Sequence, residues 1–145
     1  QPQPQQQQQP QQLAKKNYED CLTLARSQQY DEAAQAFEDF LQREPGHDKA
    51  WISYAQMSKK RYMQHGAPSL AYEACGSVLD RGLALNPQAA KIWQSRGLLE
   101  LQQGHTGPAK ELLKKAVALD ARLAPVLNWK AVREGGESQP VVSCE

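Results

Sequence analysis

The stretch KIWQSRGLLELQQGHTGPAKELL, residues 91–113, decides how this chain is read. Pro87 stands six residues before Trp93, and a small residue, Ala109, stands four before a large apolar one, Leu113. Earlier in the chain the same frame recurs: Pro45 precedes Trp51 by six, and Cys75/Leu79 and Ala33/Phe37 repeat the small–large pair. Carried forward by 34 residues, the frame reaches Ala121 and Leu127. The steps between units are 42 and then 34 residues, so the middle unit holds eight extra. In-phase recurrence at this period is the signature of stacked supersecondary units.

Each unit reads as two helices. The first helices cover Leu13–Gln28, Asp48–Gln64 and Ala89–Gln103; the second cover Asp31–Arg43, Ser69–Leu85 and Pro108–Leu119. The apolar sets Ala33, Ala36, Phe37, Phe40, Leu41 and Ala109, Leu112, Leu113, Ala116, Val117 follow 3–4 spacing. Breakers separate the helices at Pro45-Gly46, Gly66 with Pro68, and Gly104 with Gly107-Pro108. A last helix, Ala124–Arg133, takes Pro125 in its first turn, where a missing N–H costs little. Val126, Leu127 and Trp129 on it have no following helix to cover them and are expected to form an exposed strip. No alternating run of strand length appears, so the fold class is all-α.

The ends differ in composition. Residues 1–12, nine Gln and three Pro, have no apolar side chain to offset ordering entropy and are expected to be a disordered arm. Residues 134–145 read as a flexible tail. The repeat domain spans 13–133, in units of about 13–45, 46–87 and 88–121 with the terminal helix at 122–133. Because the chain starts at Gln1 rather than Met, the sequence reads as processed or as part of something longer.

At these residues the chain resembles a tetratricopeptide-type helical repeat, and more closely its half-a-TPR (HAT) variety. Trp93 with Glu100 seven residues later, the Asp80–Pro87 ending, and Trp51 with Tyr54 carry the resemblance. Asn17 stands where a Trp is expected, and Ser58 replaces the Glu. The resemblance implies a right-handed α-α superhelix of about three helix pairs, with the first helix of each pair on the concave face. Small residues (Ala33, Gly97, Ala109) let helices approach, while Phe37, Trp51, Leu79, Trp93 and Leu113 fill the gaps as core.

Mapping the family's inward positions onto the chain yields a ligand-binding set: Lys15, Tyr18, Arg26, Lys49, Gln56, Lys59, Lys60, Lys91, Gln94, Asn128 and Trp129. Lys15, Lys49 and Lys91 share one repeat position. A basic, aromatic-edged face suits an RNA backbone, or equally an acidic peptide. HAT proteins are typically RNA-processing or mRNA-stabilising factors, and the third unit resembles the plastid mRNA-maturation type. The resemblance therefore implies a scaffold binding single-stranded RNA or an RNP partner in the chloroplast stroma or another organelle, with the nucleus as the alternative compartment. The other reading is a general protein–protein adaptor without RNA contact. The heat-shock carboxylate clamp is not expected, since of Tyr18, Leu22, Ser53, Lys91 and Ser95 only Lys91 matches its side chains.

Residues 14–45 hold seven acids against four bases, and residues 46–145 nine acids against thirteen bases, an imbalance too small to dictate a polyanionic ligand by itself. No nucleotide, zincin or nucleophile-elbow motif is present, so no enzyme activity, cofactor or metal is expected. His47, His65 and His105 fall in turns and read as solvated. Cys21 and Cys75 read as packing residues, with Cys144 the reactive one. No apolar run reaches the roughly 20 residues of a membrane span, so no membrane insertion is expected.

Overall fold

A computed structural model describes residues 15–134. Among these residues the chain forms α1 (Tyr18–Arg26), α2 (Tyr30–Arg43), α3 (Asp48–Gln64), α4 (Pro68–Leu85), α5 (Ala90–Gln102), α6 (Thr106–Leu119), a 3-10 helix (Ala121–Asn128) and α7 (Lys130–Arg133). The helices pack as antiparallel pairs, α1 with α2, α3 with α4 and α5 with α6, as expected for a tetratricopeptide-like helical repeat. Each first helix also touches the next, α1 against α3 and α3 against α5, so the three share one face, called here the A-face. The expectations for residues 1–12 and for Leu13, Cys144 and most of the tail lie outside the described residues.

Local chemistry fixes where the helices start and stop. Asn17 closes a capping box at α1, its Oδ1 accepting from the Asp20 N–H at 2.9 Å while Asp20 Oδ2 accepts from the Asn17 N–H at 3.0 Å. The sequence frame starts this helix at Leu13; the cap places its first residue at Tyr18. The turns inside the three pairs each hold one residue in the left-handed region: Gln28 (φ 61°), Gly66 (φ 71°) and Gly104 (φ 85°). Glycine takes that conformation without steric cost, whereas Gln28 does so under mild strain.

Those three positions are 38 residues apart, which locates the eight extra residues. α3 has 17 residues and α5 has 13; α4 has 18 and α6 has 14. Each helix of the middle pair is thus four residues longer, close to one helical turn. One turn added on both sides of an antiparallel turn preserves which faces meet. The middle hairpin simply projects further, by about 6 Å at 1.5 Å per residue.

Proline and tryptophan set the register because they bond. Trp51 Nε1–H donates to the Pro45 carbonyl at 2.9 Å, and Trp93 Nε1–H donates to the Pro87 carbonyl at 2.9 Å. A cation lies over each indole, Arg81 at 5.4 Å from Trp51 and Lys115 at 5.5 Å from Trp93. The two sites are equivalent in kind but not in depth. Trp51 is 2% exposed, whereas Trp93, expected in the core, is only half-buried. Gly82 supplies the reason: a Cβ there would lie 2.9 Å from the Trp51 ring, so its absence lets the indole sink. The matching residue on α6 is Ala116.

Ala33, Phe37, Leu79, Gly97, Ala109 and Leu113 are buried. Gly97 permits close approach of α5 and α6, since a Cβ would meet Leu113 at 2.8 Å. The core forms two clusters. The larger joins α1 to α4 and takes Ile92 and Leu99 from α5; the smaller gathers Leu98, Leu101, Ala109, Leu113, Val126 and Val132. The terminal segment is therefore not the continuous helix expected over 124–133. Pro125 sits inside a 3-10 helix, the chain extends at Trp129 (φ −64°, ψ 138°), and four residues of α7 follow. Nor is its apolar strip bare: Val126 and Val132 are buried, leaving Trp129 exposed.

Candidate functional site

The A-face is built from equivalent positions on α1, α3 and α5. Two hydrogen bonds cross its seams. Between α1 and α3 the hydroxyls of Tyr18 and Ser53 meet at 2.8 Å, and between α3 and α5 Lys59 Nζ donates to Gln102 Oε1 at 2.8 Å. Tyr18 and Lys59, expected as free ligand contacts, thus tie neighbouring helices together. Tyr18 is further held by His47 and Phe40, whose rings lie 4.7 Å and 6.3 Å away. His47 is not a solvated turn histidine. It caps α3, its Nδ1 accepting from the Ala50 N–H at 3.1 Å, and packs between Tyr18 and Phe40.

The remaining expected residues lie where a partner can reach them. Lys15, Lys49 and Lys91 are exposed, the latter two in the first turns of α3 and α5. Lys60, eleven residues further along α3 from Lys49, and Arg26, the last residue of α1, are exposed as well. Between these edges the surface is uncharged: Ile52, Ser53 and Gln56 of α3 and Gln94 and Ser95 of α5 are half-buried, and Leu98 is buried. Glu19, at the position of Ser53 and Ser95, is the acid that interrupts it. Val126 and Val132 repeat the buried positions of Ile92 and Leu98, so the terminal segment keeps the repeat register. By sequence offset Trp129, 41% exposed, corresponds to Ser95, with exposed Asn128 beside it, but the chain is extended at Trp129 rather than helical.

The opposite side carries a network of paired charges. Arg81 grips Glu38 through two bonds of 2.8 Å, and the Tyr54 hydroxyl donates to the same carboxylate at 2.6 Å. The Arg81 hydrogen bond holds the Glu38 carboxyl below its ordinary range; burial, then Glu38, pushes the Tyr54 phenol up to about 12. One unit on, Asp80 replaces Glu38 and Arg96 replaces Tyr54, paired at 2.9 Å. Arg96 also bonds Glu100 at 2.7 Å, and Glu100 meets His105 at 2.7 Å. Sequence reasoning left this network unseen because it joins residues 16 and 43 apart. Beside it lies an open concavity of about 550 Å³, lined by Glu73, Gly76, Ser77, Asp80, Arg81 and Arg96 among others.

Among the described residues no group of three His, Cys, Asp or Glu is placed to hold a metal, and no helix is long and apolar enough to cross a membrane. Cys21 and Cys75 are buried and form no disulfide among the described residues; burial, reinforced by Asp20, pushes Cys21 up to about 11.

Paired helices, in-phase indoles and a shared first-helix face define an all-helical repeat protein. Residues 90–122, spanning α5, α6 and the turn beyond, match the tetratricopeptide repeat family model. That model is the general one and carries nothing specific to the half-a-TPR variety. No curated protein matches the chain.

Proposed function

We propose that this chain is a non-enzymatic scaffold for protein–protein assembly that holds its partner on the A-face. The observation that supports this reading is the set of exposed basic side chains at repeat-equivalent positions, Lys15, Lys49 and Lys91, along a face that three adjacent first helices share. Lys15, Lys49, Lys91, Arg26, Lys60, Gln56, Gln94, Asn128 and Trp129 are its contact residues, with Tyr18 and Lys59 holding the helices beneath them in register. Tetratricopeptide repeats commonly serve as scaffolds for protein partners. A pull-down with the wild-type chain and with a K15E/K49E/K91E variant tests it. Partner recovery that survives nuclease and is lost in the variant supports the reading; recovery unchanged in the variant refutes it.

A second reading follows from the basic residues on that face together with exposed Trp129. This is the half-a-TPR one, an RNA-processing or mRNA-stabilising factor of plastid, other organelle or nucleus, with Trp129 stacking on a base. Filter binding to single-stranded RNA over a salt series tests it: affinity that falls steeply with salt supports it, and absent or salt-insensitive affinity refutes it.

A further inference from the structure

The A-face has two basic edges and a floor of polar and apolar side chains interrupted by Glu19, and the arrangement selects a shape of ligand. Lys15, Lys49 and Lys91 mark one edge; Arg26 and Lys60 mark the other. None of the five makes an ion pair or side-chain hydrogen bond within the described structure, whereas Arg61, Arg81, Arg96 and Arg122 all pair with carboxylates. Within α3 the eleven residues from Lys49 to Lys60, at 1.5 Å each, put the edges roughly 16 Å apart. An extended strand carries its side chains on two opposite faces, so it cannot lay a stripe on the floor and present carboxylates to both edges at once. An α-helix, 10–12 Å across with its side chains, spans the floor and presents carboxylates to both edges.

We propose that the A-face receives an amphipathic acidic helix of a protein partner, its uncharged stripe on the floor and Glu or Asp along both flanks. This rests on the scaffold reading above and names the partner's chemistry. Three first helices packed at about 10 Å give a face some 20 Å long between outer axes, matching about 14 residues of helix. Recognition of this kind places an apolar or neutral stripe in a complementary surface and reads flanking charge for specificity.

The test uses a fluorescein-labelled 16-residue peptide with an Ala/Gln/Leu stripe and Glu on both flanks. Two relatives accompany it, one with a central Pro-Gly that breaks the helix and one with Lys for every Glu. Fluorescence anisotropy with the full chain should show binding that weakens at least tenfold in K15E/K49E/K91E and likewise in R26E/K60E. The helix-broken and Lys peptides should bind at least tenfold less tightly. Circular dichroism checks that both variants stay folded, as exposed substitutions permit. The proposal is overturned if the two-flank peptide does not bind, if the helix-broken peptide binds as well, or if only one edge matters. Displacement of the peptide by an equally charged oligouridine at lower concentration also overturns it, in favour of RNA. Partner capture that is lost in K15E/K49E/K91E while the peptide fails to bind leaves the scaffold reading standing and removes only the helix.

Discussion

Replacing each indole by phenyl separates the two tryptophan sites. At Trp51 the substitution removes the bond to the Pro45 carbonyl, a loss of about 0.5–1.5 kcal/mol. That carbonyl keeps the Asn86 Nδ2–H at 2.8 Å, so no buried acceptor is orphaned. The site is 2% exposed, and phenyl leaves part of the indole volume empty, adding about 1–2 kcal/mol by comparison with other large-to-small changes. Trp51→Phe should therefore cost about 1.5–3.5 kcal/mol. At Trp93 the Pro87 bond is lost in the same way, but the half-buried ring leaves little cavity, so Trp93→Phe should cost about 1 kcal/mol. Urea unfolding followed by far-ultraviolet circular dichroism reads both values on one scale. Equal costs, or the larger one at Trp93, refute the role given to Gly82 in seating Trp51.

Phe37→Ala, at a fully buried ring stacked 5.2 Å from Tyr54, should cost about 3–5 kcal/mol in the same assay; below 1.5 kcal/mol the first pair is not packed as described. Stability should fall as acid drops the pH through the lowered pKa of Glu38, because that carboxylate's contribution is present above its unfolded value near 4.5 and lost below its folded one. Glu38→Gln should flatten that acid limb, and an unchanged limb argues against the Arg81 contact. Stability should fall again between pH 10 and about 12, since the raised Tyr54 pKa favours the neutral phenol and its contribution is complete only below 10; Tyr54→Phe should remove this limb. Cys21 should resist alkylation by iodoacetamide at pH 8 in the native chain and react on unfolding; rapid native labelling contradicts its burial.

Much of the fold was legible because packing writes itself into spacing. Pro45/Trp51 and Pro87/Trp93 marked the register, and one indole-to-carbonyl bond explains why the interval is six. The extra eight residues were countable from the sequence, yet their division into one turn per helix was not, since any loop could have held them. Asn17 looked like a missing Trp when its role is a cap. The terminal helix failed as a continuous element because Pro125 and the extended Trp129 override an apolar pattern that still buries Val126 and Val132. Of the binding set, the lysines at shared positions were readable from repeat arithmetic. That Tyr18 and Lys59 spend their polar atoms on neighbouring helices was not, because those bonds span 35 and 43 residues. His47 likewise looked solvated in sequence, and only the approach of α1 and α2 turns it into a packed cap.

Site-specific photocrosslinking asks most directly which side of the molecule meets its partner. A benzophenone side chain placed at Gln94 on the A-face, and separately at Ser77 on the opposite side, is irradiated in cells that express the chain. Protein adducts at Gln94 and few at Ser77 are expected. Adducts confined to Ser77, or Gln94 adducts made of nucleic acid alone, contradict a protein-binding A-face.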